Sequence, residues 1–342
     1  MPLNETCLDR RSLLAASSAV AAASVLAPVP ASANVLLVTP EEHWTQKGDV
    51  KLYLYRKRLT AGDAKLPQKP VLVLVHGSTP SSRGSFDLQV PGRNANDATD
   101  TYSVMDIVAN AGFDVWTMDH EGYGRSTHGN GHCGIATGVE DLKAAMPVIE
   151  KVTGQKSVMM YGQSSGAIRA GAYAMAEPAR VDRLVLDAFT YTGTNAPEIE
   201  RRRKAVETYR ANPRRPVSLA SYLSIFNRDK PGTYEPIVAQ TLADEELKHG
   251  NTVPSGTYLD MAAHMPMVDP KKVQCPTLLL RAEHDGNASE SELLEFFKLL
   301  PNADKQFVFL AGLTHAGMLG LNRHRIWHAM VSFLQMPPTR KL

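Results

Sequence analysis

An α/β fold, a mostly parallel doubly wound sheet carrying a helical insertion, is predicted by three observations. Short aliphatic and β-branched runs recur along the chain with helical stretches between them. One Gly-x-Ser-x-Gly pentapeptide falls between such a run and such a stretch, and residues 190–269 interrupt the alternation. Continuous apolar runs suit strands buried on both faces of a parallel sheet, and their alternation with helices implies right-handed crossovers.

Taken in order, residues 1–33 read as an export signal. Arg10 and Arg11 form a charged start, 12–33 is charge-free, and Ala31-Ser32-Ala33 is a small-residue cleavage site. The paired arginines followed by Ser12-Leu13-Leu14 resemble a bacterial twin-arginine signal, which implies a periplasmic or secreted protein. Residues 34–189 read as the first part of the core. There, 50–55 (VKLYLY) alternates as an early antiparallel strand, and 71–75, 115–118, 157–161 and 184–186 are buried-strand runs. Helical patterns cover 102–111, 139–153 and 167–176. Residues 190–269 hold no strand candidate, only helix-like runs, aromatics and turn-forming Pro and Gly, so they read as a lid above the sheet. Residues 270–342 return to the core, with strands at 277–280 and 306–310 and helices at 289–300 and 324–333. The segment 81–101 is long and polar, and reads as an irregular rim or a surface excursion.

A hydrophobic content of 43% is enough for one large core, and a net charge of +2 provides no basic field for nucleic acid or a membrane surface. No stretch after the signal is long and apolar enough to span a bilayer, so no stable membrane insertion is expected. Removing the signal leaves Cys133 and Cys275. An exported protein could pair them, although Cys275 before a strand is read more simply as a small buried residue.

Two serines stand together in VMMYGQSSGA, but only Ser164 is flanked two residues away on both sides by glycine, Gly162 and Gly166. Glycine is needed there because a nucleophile on a strained strand-to-helix turn brings neighbouring backbones close. Ser164 is therefore the candidate nucleophile, and Ser165 offers its backbone N–H to an oxyanion at the helix start. A serine hydroxyl needs a base, and the base needs an orienting acid. His315, in a loop after the strand 306–310, is the candidate base. Asp285, thirty residues earlier and after the strand 277–280, is the candidate acid. Asp187, at the end of RLVLD, is the alternative acid, and Glu283 a remote one. In a parallel sheet the loops after these strands emerge on one edge.

With these residues in place, 50–335 resembles an α/β-hydrolase of the carboxylesterase and lysophospholipase-like branch. The resemblance rests on His76-Gly77-Ser78, on DHEGYGRS (119–126), on the Ser164 turn, and on CPTLLLRAEHD (275–285) and LTHAGML (313–319). It implies the α/β-hydrolase fold with a helical lid, an acyl-enzyme mechanism without a cofactor, and a second oxyanion N–H from Ser78. Because Ser78-Thr79 stand where the lipase branch has further glycines, esters of bulky tertiary alcohols are less expected. The expected substrate is a small to medium carboxylic ester. An acyltransferase or carbon–carbon bond hydrolase would use the same triad, and a ligand-binding protein would keep the fold without turnover.

Tyr222, Phe226 and Met265 are candidate substrate-binding residues of the lid. The basic run 200–204 and Arg214-Arg215 read as a solvated helix face, with attraction of an acidic substrate as the functional alternative. His128, His132 and Cys133 have metal-ligand types, but a glycine-rich rim loop accounts for them equally well and no metal is expected. His120 reads as a lining or capping residue.

Overall fold

The computed structural model describes residues 37–61, 67–95 and 97–338. The export signal read in residues 1–33 lies outside them. Among the described residues eight strands form the main sheet: β1 (Leu37–Lys47), β2 (Val50–Thr60), β3 (Val71–Val75), β4 (Asp114–Met118), β5 (Val158–Gln163), β6 (Val181–Asp187), β7 (Thr277–Ala282) and β8 (Lys305–Leu310). Their spatial order is β1-β2-β4-β3-β5-β6-β7-β8. β2 runs antiparallel to both of its neighbours, and from β4 to β8 the pairing is parallel. This is the α/β-hydrolase arrangement.

Period-two alternation sends successive side chains of one strand to opposite layers. On β3, Val71, Val73 and Val75 enter one core, which holds α3 (Ile135–Thr153), α4 (Ser165–Ala176) and α10 (Glu290–Leu299). Leu72 and Leu74 enter the other, with α2 (Val104–Asn110) and α11 (Arg323–Leu334). A continuous apolar strand is stable here because each face has a helical layer to bury against.

Between β6 and β7 lie α5 (Pro197–Lys204), α6 (Val206–Ala211), α7 (Leu219–Asn227), α8 (Pro236–Glu246) and α9 (Gly256–Ala263). Tyr222 and Phe226 of α7 and Val238, Ala239, Leu242 and Ala243 of α8 bury against Leu88, Tyr102, Tyr123 and Leu319, a third apolar cluster that joins these helices to the core. Among the described residues no helix is long and apolar enough to cross a membrane.

Three features depart from the sequence reading. β1 is a full strand, pairing with β2 along its length, although LVTPEEHWTQK has no clean alternation. It is an edge strand, where Pro40 and Glu41 are tolerated because one side needs no ladder partner. The 81–101 segment contains a short helix, α1 (Ser82–Phe86), and Asp87–Leu88 pairs with Tyr102–Ser103. Residues 190–269 contain a two-stranded ribbon, Arg214–Pro216 with Thr252–Pro254, where no strand was expected.

The β2–β4 junction is tied by a buried ion pair: Arg56 Nε and Nη2 donate to the two Asp114 carboxylate oxygens at 2.8 and 2.5 Å. Replacing one partner leaves the other charge buried alone. Arg56→Met is expected to lower the unfolding free energy by about 3–5 kcal/mol, read as a lower midpoint in denaturant titration.

Candidate active site

Loops at the carboxyl ends of β3, β5, β7 and β8 converge on one edge of the sheet. Ser164 follows β5 directly with φ 58° and ψ −126°, a left-handed backbone that an L residue rarely adopts. Its surroundings explain the two glycines. A Cβ on Gly162 would lie 2.4 Å from the Gly166 carbonyl oxygen, and one on Gly166 would lie 2.1 Å from the Val75 oxygen. The turn is pinned from β6, where the Asp187 carbonyl accepts from the Ser164 N–H at 2.9 Å.

His315 Nδ1 lies 2.9 Å from Asp285 Oδ1, and Nε2 lies 2.9 Å from Ser164 Oγ. A carboxylate only accepts, so the ring proton sits on Nδ1 and Nε2 is the acceptor, facing the serine hydroxyl and, at 3.2 Å, the Asn287 side-chain amide nitrogen. Burial acts to raise the Asp285 carboxyl, but the His315 charge, its hydrogen bond and the Asn287 N–H hold it down to about 2. Asp187 faces a different environment. Burial pushes it up to about 7, although the Tyr161 hydroxyl donates to it at 2.5 Å. The structure thus brings Ser164, His315 and Asp285 into one hydrogen-bonded row. Asp187 stands beside it, bound to Tyr161. Glu283 accepts from the Gly312 N–H at 2.7 Å, on the neighbouring loop.

Ser78 follows Gly77 at the end of β3. Its hydroxyl donates to Ser165 Oγ at 2.6 Å and accepts from Thr257 at 2.9 Å, and its carbonyl accepts from Tyr123 and Arg215. Neither the Ser78 nor the Ser165 backbone N–H has a hydrogen-bond partner among the described residues. The loop beyond is anchored by two buried carboxyls. Glu246 accepts from Ser81 N–H and Oγ, and Asp119 accepts from Ser82 N–H and Oγ.

Behind the turn, His76 donates through Nδ1 to the Gly77 carbonyl and accepts at Nε2 from the His120 N–H. His120 in turn meets Asp141, which also binds Lys47. Burial, with the neighbouring His120 and Arg169 charges, holds His76 well below the usual imidazole range. Burial, with the Arg169 charge, takes His120 to about 4 despite Asp141. His120 therefore supports the site from beneath and does not line it.

The cavity over Ser164 and His315 is bordered by Thr79, Arg202, Phe226, Arg228, Tyr258 and Leu319, among others. Phe226 is where the sequence reading expected it. Tyr222 is instead buried in the apolar cluster that joins the insertion to the core, and Met265 packs against the core beneath the sheet. Helical spacing alone does not separate a lining face from an anchoring face. Arg202 corrects the reading of 200–204 as a solvated face. It is 2% exposed, because it shares with Ile199, three residues earlier on α5, the side that turns inward. That periodicity was the available signal, masked by the charge of the run. Asp229 was also missed; its carboxylate accepts the His315 backbone N–H at 3.1 Å.

The other candidates are placed as well. His128 Nε2 meets the Gly124 carbonyl, and His132 Nε2 meets the Tyr209 and Arg210 carbonyls. Among the described residues no group of three or more His, Cys, Asp or Glu is disposed to hold a metal ion. Cys133 and Cys275 are both free and buried.

A family model described as serine aminopeptidase, S33 (Hydrolase_4) matches residues 93–320, more than half of the chain. No curated protein matches it in sequence. Among solved structures, an esterase from Exiguobacterium antarcticum is similar with a TM-score of 0.62 at 14% identity, over 86% of this chain and 100% of that one. A thermophilic esterase from Thermogutta terrifontis gives 0.60 at 18%, over 87% and 98%. The enol-lactonase from Burkholderia xenovorans LB400 gives 0.60 at 16%, over 86% and 100%. At these identities the likeness is one of fold.

Glu246 yields a pH prediction. Burial pushes its carboxyl up to about 8, against the hydrogen bonds from Ser81, whereas an unfolded glutamate titrates near about 4.3. Between those values the folded chain holds a proton that the unfolded chain has released, so stability falls as pH rises through that window. Asp187 adds the same sign between about 4 and 7. Asp285 has the opposite sign, and its contribution is lost only as pH falls from about 4 through about 2. His76 and His120, whose imidazoles burial holds down, have the opposite sign within the window and cost stability as pH falls below about 6.5. The readout is therefore a difference: from pH 5 to pH 8 the melting temperature of Glu246→Gln is expected to fall less, or rise more, than that of the parent protein, and an unchanged slope would refute the assignment.

Proposed function

The chain belongs to the serine aminopeptidase S33 family, and from that premise we propose that it hydrolyses carboxylic esters of small to medium organic molecules through an acyl-enzyme. The observation that carries this reading is the row Ser164–His315–Asp285, with both hydrogen bonds at 2.9 Å and the serine on a strained turn.

In the proposed sequence, His315 Nε2 takes the Ser164 proton as Oγ attacks the ester carbonyl. The imidazolium that forms is stabilised by Asp285, which its low pKa keeps ionised. The Ser78 and Ser165 N–H groups hold the oxyanion; losing one such donor typically lowers turnover about 100- to 1000-fold. His315 returns the proton to the departing alkoxide, and water activated by the same ring releases the acid and restores Ser164.

Amide cleavage at a peptide amino terminus is the second reading, favoured by the family's description. The charges bordering the cavity weigh against it, since Arg202 and Arg228 line it. The nearby carboxylates Asp229 and Glu198 are engaged by Arg228, at 2.9 and 3.6 Å. An α-ammonium group would meet cations rather than free carboxylates. We further propose, from residues 1–33, export to the periplasm or medium; replacing both Arg10 and Arg11 by Lys is expected to leave the protein in the cytoplasm, read by cell fractionation.

Purified protein is expected to hydrolyse short aryl esters and to be labelled by a fluorophosphonate, and Ser164→Ala to abolish both. Asp285→Asn is expected to lower kcat on the order of 10⁴-fold, and Asp187→Asn by less than about tenfold. A fully labelled Ser164→Ala protein, or the reverse order of the two aspartates, would overturn the assignment.

A further inference from the structure

Arg202 is a buried cation with no carboxylate. Its only hydrogen-bond partner among the described residues is the Met261 thioether, 3.2 Å from Nη1, and a thioether is a weak acceptor. Nε is buried with no partner. The guanidinium also stacks on an aromatic ring, its central carbon 4.3 Å from the centre of Tyr258. Yet the residue borders the same cavity as Ser164 and His315. Burying a cation without a carboxylate partner is unfavourable, so an arginine left this way on the wall of the cavity is poised for an anion that arrives with the substrate.

The other arginines nearby hold more hydrogen-bond partners, although the Nε atoms of Arg215 and Arg169 are likewise buried without one. Arg228, also on the cavity wall, forms a close pair with Asp229 and a longer one with Glu198. Arg215 donates to the Ser78 carbonyl and to Thr79 Oγ1. Arg169, fully buried beneath the site, donates to the His76 and Gly77 carbonyls and does not border the cavity. The positive potential registers at Tyr258, where burial raises the phenol but Arg215 and Arg202 together draw it down to about 7.

Resting on the ester-hydrolase reading, we propose that the substrate carries a carboxylate and that Arg202 binds it within the cavity through its guanidinium. A flat carboxylate with one negative charge matches one unpaired guanidinium, since two parallel N–H···O bonds are the geometry both groups favour. A phosphate monoester would bring nearly twice that charge. Arg202 is thus a specificity-determining residue, discriminating acid-bearing esters from neutral esters of the same shape. A site built for a hydrogen-bonding group rejects an analogue lacking it far more strongly than an apolar pocket rejects a lost methylene.

The test compares two substrate pairs. Mono(4-nitrophenyl) glutarate against 4-nitrophenyl glutaramate places the acid on the acyl side, and 4-acetoxybenzoate against 4-acetoxybenzamide places it on the alcohol side. In at least one pair the acid is expected to be favoured in kcat/KM by tenfold or more. Arg202→Met should bring that ratio to within about twofold of unity. Arg202→Lys, keeping the charge without the fork, should retain part of it, and Arg201→Met, one residue away on the exposed side, should leave it intact. Calorimetric titration of Ser164→Ala with glutarate reads the same site without turnover, and adding Arg202→Met should weaken binding at least tenfold. No acid preference in either pair, a preference that survives Arg202→Met, or glutarate binding indifferent to Arg202 would each overturn the proposal while leaving ester hydrolysis standing. Failure to hydrolyse any of the four esters, with Ser164 unlabelled by fluorophosphonate, would instead sink the hydrolase reading, and the titration would still decide the role of Arg202.

Discussion

Ser164 holds a left-handed backbone between β5 and α4, and the rest of the site is arranged around keeping it there. A residue in such a conformation stores on the order of 1–3 kcal/mol and persists only where its surroundings over-determine it. Here the Asp187 carbonyl accepts its N–H, and Gly162 and Gly166 let α4 begin directly against β5 and β3. The result is a hydroxyl at the sheet edge, 2.9 Å from the imidazole. Were the turn to relax, the serine would fall back toward the sheet and the loop carrying His315 would have nothing to meet.

The same rigidity is continued by buried polar groups that do no chemistry themselves. His76, His120, Asp141 and Lys47 form a chain beneath the turn, and Arg169 holds two carbonyls of the His76-Gly77 step. Glu246, from α8, and Asp119, after β4, fasten Ser81 and Ser82 in the loop that follows Ser78. Such networks specify geometry through the bonds they complete, and here His120 Nε2 and Arg169 Nε stay buried without a partner. Among the described residues the backbone N–H groups of Ser78 and Ser165 are left without a partner. The insertion between β6 and β7 is coupled to this frame as well as resting above it: Thr257 bonds Ser78, and Asp229 holds the His315 N–H.

Fold and substrate are separate questions here. An esterase and a lactonase share this architecture at 14–16% identity, and function lives in sites grafted onto such folds. What individualises this chain is the charge bordering its cavity. Arg228 is paired with carboxylates of the insertion, whereas Arg202 is not, so the cavity keeps one positive charge without a carboxylate partner beside Ser164.

Strand and helix alternation, the Gly-Gln-Ser-Ser-Gly turn, and the order of Ser164, Asp285 and His315 were readable from the chain because each depends on local spacing and on the parallel sheet's common edge. β1 escaped notice because an edge strand exposes alternate residues and needs no continuous apolar run. Spacing before His315 favoured Asp285 but left Asp187 open, since both end strands on the same edge; the structure sets Asp285 Oδ1 2.9 Å from His315 Nδ1. Tyr222 and Arg202 make the same point from opposite sides. An aromatic expected to line the cavity is buried in apolar packing, and an arginine in a run read as solvated is buried against the cavity, because which face of a short helix turns inward is decided by what it packs on. The sequence by itself determined the fold class and singled out Ser164 and His315 as candidates, through local turn chemistry and strand order. Only tertiary structure decided which aspartate His315 meets and the charge bordering the cavity, because both depend on contacts between segments that no local pattern records.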